Sequence, residues 1–247
     1  MILLEGRNPV QEGLREGLVT LVWVEKGMER DPKLKELLDE ARKKEVAVEV
    51  VLKPQLDAMS QTGHHQGIIA MAQPKASWSL EKVLEETGRD ICVIILDQVQ
   101  DPHNLGAILR TAEATGVDGV VIPKRETANL GPTVHRVSMG GSLHVPVWQQ
   151  SLYTAIKLLS DEGVTVIGVD ASGDTNYYDE DLTGPVAFII GGEDKGISPT
   201  LLTKCDKTVR LPMRGRLESL NVSVATGIVL YERLRQLETK QLEASAP

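Results

Sequence analysis

The sequence is poor in cysteine and in aromatic residues. Its 247 residues include two cysteines, one phenylalanine and only 3% aromatic residues. Cys92 and Cys205 lie far apart, with no CxxC spacing and no histidine beside them. We therefore predict neither a disulfide framework nor a metal site, and we interpret both thiols as core residues. Few aromatic rings also leave few platforms for base stacking, which disfavours recognition of single-stranded nucleic acid by that route.

The sequence also lacks a long apolar run. No stretch approaches the roughly 18 apolar residues that indicate a membrane span. The first ten residues, MILLEGRNPV, do not follow the basic-then-apolar pattern of a signal peptide. We therefore expect a cytoplasmic protein without a membrane partner.

Basic residues are not in excess. The 27 lysines and arginines are outnumbered by 35 acidic residues, which gives a net charge of -8. This balance argues against non-specific binding to phosphate backbones, although net charge is a sum and leaves room for a local basic face. The content of 41% hydrophobic and 25% charged residues is that of an ordinary globular protein, and the length allows two domains.

Residues 1–73 combine short apolar runs with helical patterns. Asn8 before Pro9 and Asp31 before Pro32 indicate helix starts, because a capping side chain there precedes a proline that needs no N–H donor. The predicted strands are Leu18 to Val24, Val46 to Leu52 and Gly67 to Ala72. We predict a small amino-terminal α/β domain.

A polar break at 74–79 predicts a linker, and a larger α/β pattern follows over 80–240. The predicted strands there are Ile91 to Leu96, Gly119 to Pro123, Val164 to Val169, Val186 to Ile190 and Thr208 to Leu211. The predicted helices are 105–115, 132–140, 151–160, 198–204 and 222–239. Continuous apolar strands such as ICVIIL predict a mostly parallel sheet flanked by helices, and the polar stretch 241–247 predicts a frayed tail.

The first motif with potential chemistry is LDQVQDPHNLGAILRTAEATGV, at 96–117. It predicts a strand end, a loop and a helix with Asn104 near its start. Arg110 projects from the face opposite the buried stripe, among small residues that would let a ligand or a partner helix approach. Two interpretations remain open: Asn104 is a functional amide or a helix cap, and Arg110 is a functional cation or a solvated charge.

The second motif is FIIGGEDKGISP, at 188–199, whose three glycines allow a ligand to approach the backbone. It is not a phosphate-binding P-loop, because Gly196 is followed by Ile197 and not by Lys and Ser or Thr. Glu193 is a candidate functional carboxylate, with a solvated turn residue as the alternative.

The third motif is LPMRGRLESLNVSVATGIVLYERL, at 211–234. Ser219 and Asn221 either cap the following helix or belong to a site. Arg214 and Arg216 lie in a loop at a strand end and suit a phosphate, because arginine offers a forked array of donors. All three motifs follow strand ends, where open parallel sheets bind their ligands, so together they indicate one composite site.

These motifs resemble those of the SpoU family of RNA 2′-O-methyltransferases, part of the knotted SPOUT class. The carriers are DPHNLGAILRTAE at 101–113, GGEDKGIS at 191–198 and LPMRGRLESLNVSVAT at 211–226, in the family's order. EGRNPV near the start and HHQGIIA at 64–70 make residues 1–73 similar to the ribosomal-protein-like RNA-binding domain of the ribosomal RNA branch.

The resemblance implies S-adenosylmethionine as cofactor, ribosomal RNA as substrate, a trefoil knot in the carboxyl-terminal domain and a homodimer whose sites borrow residues from the partner. The implied catalytic residues are Asn104, Arg110, Glu193, Ser219 and Asn221. The implied cofactor-binding residues are Gly192, Leu211, Met213, Leu220, Asn221 and Ser223. The candidates for RNA binding are Arg7, Arg136, Arg214 and Arg216.

The chemistry of the implied reaction assigns a role to Arg110. A guanidinium is almost never neutral in proteins, so Arg110 is a poor base and a good ligand for phosphate. We therefore expect it to bind the phosphate beside the target ribose, while that phosphate or Glu193 takes the proton.

Two other functions compete with this one. A ribosome-assembly protein that binds RNA without turnover predicts the loss of Arg110 or Asn221, and both are present. A transfer RNA 2′-O-methyltransferase shares the three motifs, but the extra domain at 1–73 favours ribosomal RNA.

Overall fold

The computed structural model describes residues 1–73, 78–87, 90–193 and 195–244. The described residues form two compact units. The first comprises those up to position 76 together with Asn129–His144, and the second comprises those from 77 to 128 and from 145 onwards. Residues 74–77 of the predicted linker lie outside the described residues.

The first unit is built on a four-stranded sheet of order β1-β4-β2-β3. Its strands are β1 (Ile2–Glu5), β2 (Val19–Glu25), β3 (Ala47–Val51) and β4 (Ile68–Ala72), and its helices are α1 (Arg7–Arg15), α2 (Pro32–Lys43) and α3 (Lys53–Met59). Strand β4 is antiparallel to both β1 and β2, whereas β2 and β3 are parallel. Strand β1 and helix α3 were not predicted from the sequence.

The two predicted helix starts in this unit have different outcomes. Asp31 caps α2 as predicted, because its side chain accepts hydrogen bonds from the amides of Lys33 and Leu34. The prediction for Asn8 is wrong: α1 begins at Arg7, and Gly6 is the residue before it, with φ of 93°. Proline is tolerated in the first turn, where the amides have no partner within the helix, so the helix does not have to start at it.

Residues 129–144 pack with the first unit, although they lie inside the range predicted for the second domain. They contain helix α6 (Pro132–Val137), which contacts β1, and a 3₁₀ turn at Gly141–Leu143. Leu143 is 8% exposed and belongs to the same buried cluster as Leu4, Val10 and Leu14. This unit's core is therefore completed by a segment that the chain supplies more than 50 residues later.

The second unit contains a seven-stranded sheet of order β7-β6-β5-β10-β8-β11-β9. Its strands are β5 (Cys92–Asp97), β6 (Gly119–Ile122), β7 (Val147–Gln149), β8 (Thr165–Val169), β9 (Thr175–Asn176), β10 (Val186–Gly191) and β11 (Lys207–Arg210). Every neighbouring pair is parallel, which confirms the predicted sheet type. The short strands β7 and β9 were not predicted.

Helices flank this sheet, as predicted. They are α4 (Leu80–Thr87), α5 (Pro102–Ala114), α7 (Leu152–Asp161), α8 (Pro199–Leu202) and α9 (Val222–Ala244). All six residues of β5 are buried, as a strand covered on both faces requires. Helices α5 and α9 pack against each other, and α7 contributes Ile156 and Leu159 to a second buried cluster.

Helix α9 is longer than the sequence predicted. It continues through Ala244, so the expectation of a frayed tail is wrong for 241–244, and 245–247 lie outside the described residues. The segment ETKQLEA consists mostly of good helix formers and contains no glycine or proline, which explains the extension.

Candidate active site

Asn104 lies in the first turn of α5 but does not cap it. Asp101 is the capping residue, and its Oδ1 accepts a hydrogen bond of 2.8 Å from the amide of His103. The side chain of Asn104 is therefore free for other contacts, although the residue is only 8% exposed. This geometry rules out the interpretation of Asn104 as a helix cap.

A chain of polar side chains joins the three motifs. Asn104 Nδ2 donates to Oε1 of Glu193 at 2.6 Å, and Asn221 Nδ2 donates to Oδ1 of Asn104 at 3.0 Å. Asn221 Oδ1 in turn accepts from the amide of Ser223 at 2.9 Å and from its hydroxyl at 2.6 Å. Asn221 thus caps α9 and also belongs to the polar chain, so the capping interpretation does not exclude the site interpretation.

The glycine-rich loop after β10 is folded tightly against the neighbouring strand end. A Cβ atom on Gly191 would lie 2.0 Å from the carbonyl carbon of Gly196, and one on Gly192 would lie 2.5 Å from the backbone oxygen of Gln98. The buried Asp97 at the end of β5 accepts a hydrogen bond from the amide of Ser198 at 2.8 Å. A side chain at 191 would therefore collide with the loop's own backbone, and one at 192 would push the loop away from the end of β5.

A cavity of about 420 Å³ opens beside this loop at the carboxyl ends of β8, β10 and β11. Six predicted site residues line it: Gly192, Glu193, Leu211, Met213, Ser219 and Leu220. Its volume falls within the usual range for small-molecule sites, and the apolar side chains Val169, Ile190 and Val222 suit a flat base. The glycine backbone and the apolar walls therefore fit an adenosine-containing cofactor. Asn221 and Ser223 lie next to the cavity through the polar chain and do not line it.

The cavity also contains charged residues that the sequence analysis missed, namely Asp170, Lys195 and Glu218. Asp170 directly follows β8, so the rule that ligands bind at strand ends could have found it. It was missed because it belongs to none of the three motifs.

An arginine-lined hollow of about 540 Å³ adjoins the cavity. Arg210, Arg214 and Arg216 line it, and the two spaces share lining residues such as Leu211 and Met213. Arg214 and Arg216 are exposed, so they are available to an anionic ligand that approaches the cavity from solvent.

The structure does not bring Arg110 into this cluster. Arg110 is exposed on α5, and among the described residues it has no hydrogen bond to the polar chain and no place in the cavity wall. The other two predicted arginines belong to the first unit. Arg7 forms an ion pair with Asp31 at 3.2 Å and lines a hollow of about 730 Å³, and the buried Nε of Arg136 on α6 has no hydrogen-bond partner within the described chain.

The two cysteines are poor nucleophiles. Burial raises the pKa of the Cys92 thiol to about 12 and that of the Cys205 thiol to about 11. Both are free thiols. Neither residue therefore competes with the polar chain as a catalytic group.

The described parts of the chain contain neither a metal site nor a membrane-spanning helix. No cluster of His, Cys, Asp and Glu there is arranged to hold a metal ion. None of the helices described has both the length and the apolar character needed to cross a bilayer.

Comparison with known proteins identifies the family. Residues 91–231 match the SpoU rRNA Methylase family, and residues 3–78 match the domain family for RNA 2′-O ribose methyltransferase substrate binding. The chain therefore belongs to the SpoU rRNA methylase family.

Similar proteins agree with this assignment. The 23S rRNA (guanosine-2′-O-)-methyltransferase RlmB of Pseudomonas putida is 39% identical over 90% of this chain and 91% of its own. The SpoU methyltransferase AviRb from Streptomyces viridochromogenes, solved in complex with the cofactor AdoMet, superposes with a TM-score of 0.81 at 26% identity over 96% of this chain and 90% of its own. The TrmH/SpoU tRNA modifying enzyme of A. aeolicus is 31% identical, with a TM-score of 0.56, and covers 67% of this chain and 84% of its own.

Proposed function

We propose that this protein transfers a methyl group from S-adenosylmethionine to a ribose 2′-hydroxyl of ribosomal RNA, and that the acceptor is a guanosine of 23S rRNA. The observation that carries the proposal is the polar chain from Glu193 through Asn104 to Asn221, which lies beside a cavity of cofactor size. Relatives named for this reaction cover nearly the whole chain. Ribosomal RNA as substrate favours a cytoplasmic location.

The cofactor would be held by the backbone around Gly192, Leu211 and Met213 and by the apolar walls of the cavity. When bound, S-adenosylmethionine supplies a methyl group on a sulfonium centre that is open to in-line displacement by an oxygen nucleophile. The protein's own contribution is to orient the ribose hydroxyl, to exclude water and to take up the proton.

Glu193 is the side chain best placed to receive that proton. Its Oε1 is held by Asn104 at 2.6 Å, and Asn104 is itself held by Asn221, so the carboxylate has a defined direction. Ser219 in the cavity wall offers a hydroxyl to a ligand bound in the cavity. A fixed acceptor avoids reorganisation during the reaction, which is where positioned polar groups lower a barrier most.

In this proposal the RNA is bound by arginines. Arg214 and Arg216 line the hollow that adjoins the cavity, where a phosphate next to the target ribose would reach both the guanidinium groups and the site. Arg7 and Arg136 belong to the unit that contains the substrate-binding match. Arg110 is proposed to clamp a phosphate within a site that a second copy of the chain completes.

A homodimer and a knotted carboxyl-terminal unit are part of the proposal. Val224 and Tyr231 lie two turns apart on one face of α9 and are 49% and 55% exposed, as a helix face that packs on a partner would be. The support for a knot is that the segment after β11 lines the same cavity as the residues that end β8 and β10, and that α9, which follows this segment, packs against α5. An experimental structure with an unknotted backbone in this unit would contradict the proposed knot.

The function is tested with labelled cofactor and separate ribosomal and transfer RNA. Transfer of label to 23S rRNA, at a ribose that then resists alkaline cleavage, is the expected result. Label on transfer RNA alone would show that transfer RNA is the substrate instead. No label on either RNA would refute the proposed methyltransferase activity.

Arg110→Lys should lose most of the methyl-transfer activity in the same assay, because an ammonium cannot bind phosphate in the bidentate manner of a guanidinium. Near-full activity in this variant would refute the proposed phosphate-binding role of Arg110.

A further inference from the structure

Asp170 is a carboxylate of the cavity wall that the proposed mechanism does not use. Its two oxygens have different surroundings. Oδ1 accepts hydrogen bonds from the amide of Ser172 at 2.9 Å and from its hydroxyl at 2.6 Å. Oδ2 has no hydrogen-bond partner in the described chain. A carboxylate held by one oxygen and open at the other is an acceptor with a defined direction.

The open oxygen faces the glycine-rich loop. A Cβ atom placed on Gly196 would lie 3.3 Å from Oδ2 of Asp170, and Gly196 also lines the cavity. The backbone at Gly196 has φ of 63°, so glycine is favoured there on conformational grounds as well. Oδ2 is therefore at the boundary between β8 and the loop, where the cavity wall is made of backbone and of this carboxylate.

The position of Asp170 in the sheet indicates which part of the cofactor would lie beside it. Asn104 follows β5, Glu193 follows β10 and Asp170 follows β8, and these three strands are neighbours in that order. Adjacent strands lie about 4.8 Å apart, so Asp170 is on the order of 10 Å from the end of β5. In S-adenosylmethionine the ribose is joined to the sulfonium through a single carbon. A cofactor whose methyl group lay beside Asn104 and Glu193 would therefore have its ribose within reach of Asp170.

We infer that Oδ2 of Asp170 accepts hydrogen bonds from the ribose hydroxyls of the cofactor's adenosine, and so selects a ribonucleoside cofactor. The inference rests on the proposed function, because it assumes that the cavity holds S-adenosylmethionine. An acidic residue that binds ribose hydroxyls near the carboxyl ends of parallel strands is an established solution in other α/β proteins. Hydroxyl donors to a charged acceptor form stronger hydrogen bonds than those to a neutral one.

The test measures calorimetric dissociation constants for S-adenosylhomocysteine, the product form of the cofactor, and for its 2′-deoxy and 3′-deoxy analogues. The variant is Asp170→Asn, because the asparagine oxygen retains the acceptor for Ser172 while an NH₂ group replaces Oδ2. The matched control is Asp179→Asn, an exposed aspartate outside the cavity that accepts a hydrogen bond from Asn176. Thermal unfolding midpoints establish that both variants are folded.

In the wild-type protein, loss of the hydroxyl that donates to Asp170 should weaken binding roughly 10- to 100-fold. Asp170→Asn should weaken binding of S-adenosylhomocysteine by a similar factor and show little further loss with the deoxy analogue. Asp179→Asn should match the wild type.

Two results would overturn the inference while leaving the proposed function intact. One is unchanged binding of S-adenosylhomocysteine to Asp170→Asn. The other is the same deoxy penalty in this variant as in the wild type, which would mean that Asp170 contacts a different group. Failure of the wild-type protein to bind S-adenosylhomocysteine would instead refute the proposed function, and the inference with it.

Discussion

The side chain of Asn104 donates one hydrogen bond and accepts another, and this determines which residues can replace it. Its Nδ2 donates to Glu193 and its Oδ1 accepts from Asn221, so a residue at 104 must be both donor and acceptor. Asparagine satisfies both requirements at every pH. An aspartate satisfies them only when it is protonated, since an ionised carboxylate has no donor.

Asn104→Asp should therefore make activity depend on pH in a new way. Two carboxylates at the 2.6 Å that separates Asn104 Nδ2 from Glu193 Oε1 repel each other when both are ionised, so the pair shares one proton at low pH and loses it only as the pH rises. We expect the activity of the variant relative to wild type to fall with rising pH, with a loss of roughly 100-fold at the alkaline end. Rate measurements from pH 6 to pH 9 test this.

Glu113→Gln is the control for that profile, because Glu113 is an exposed carboxylate on the same helix. It should follow the wild-type profile throughout. A constant ratio between Asn104→Asp and wild type across this range would show that the amide donor to Glu193 is irrelevant.

Sequence patterns identified the residues of the polar chain but not the contacts between them. Asn104, Glu193 and Asn221 were found as candidates from their motifs. The hydrogen bonds that join them were not, because the partners of Asn104 are 89 and 117 residues away in the sequence. Local patterns describe a helix start, and they contain no information on which distant loop folds against it.

At the scale of elements, Asn221 joins the site to helix α9. Its Oδ1 caps the helix and its Nδ2 holds Asn104, so one side chain affects both stability and catalysis. Two substitutions separate these effects. Asn221→Ala removes the cap and the donor, whereas Asn221→Asp retains the capping oxygen and removes the donor alone.

We expect both variants to lose activity and only one to lose stability. Asn221→Ala should lower the free energy of unfolding by about 1 kcal/mol, the usual contribution of a cap. Asn221→Asp should be as stable as wild type, because a negative charge at a helix amino terminus is favourable. Denaturant unfolding and methyl-transfer rates measure the two quantities; full activity in Asn221→Asp would contradict a role for the bond to Asn104.

Helix α6 contains a buried histidine with a consequence for stability. His135 is 3% exposed, its Nδ1 is 2.8 Å from the hydroxyl of Ser142, and desolvation lowers its pKa from 6.5 to about 4. The unfolded chain binds a proton near pH 6.5, whereas the folded chain resists protonation until the pH approaches 4. The folded form must therefore lose stability as the pH falls through this window.

The expected loss is about 2 kcal/mol between pH 7 and pH 5 from this group alone. His135→Asn retains a polar atom near Ser142 and does not titrate, so its unfolding free energy should vary less with pH than that of wild type. His103→Asn, at an exposed histidine, is the control and should retain the wild-type slope. Parallel pH dependence in all three proteins would show that His135 is not the titrating group.

Strands and helices were predicted correctly where the apolar pattern was long, and they were missed or misassigned where distant contacts determine the structure. Five of the six buried residues of β5 belong to the predicted strand Ile91 to Leu96, which its apolar composition indicated, whereas the buried carboxylate Asp97 was not predicted. Strand β7 has only three residues and β9 only two, so neither presents a period that sequence analysis can detect. The segment 129–144 has an ordinary helical pattern, and only the distant cluster around Leu4 explains why it packs with the first unit.

At the scale of the whole molecule, the position of Arg110 supports the proposed dimer. Within one chain Arg110 lies exposed on α5 and has no hydrogen bond to the described parts of the polar chain. Helix α9 packs beside α5 and exposes Tyr231. A second copy that covers this face would bury Tyr231 and present its own Arg110 to the first copy's site.

The oligomeric state is tested at Tyr231. Tyr231→Glu places a charge in the proposed interface and should shift the protein from dimer to monomer in sedimentation experiments, with loss of activity. Leu242→Glu is the control, because Leu242 is 74% exposed near the end of the same helix. It should remain dimeric and active, and a wild-type protein that sediments as a monomer at assay concentration would contradict the dimer.

Mixing two inactive variants would show which chain supplies Arg110. In a dimer of one Arg110→Ala chain and one Asn221→Ala chain, a site that takes Asn221 from the first chain and Arg110 from the second is intact. Random exchange makes half of the dimers mixed, each with one intact site of two, so activity should recover to about a quarter of wild type. If Arg110 served its own chain, every site would lack one residue, and the mixture would stay inactive.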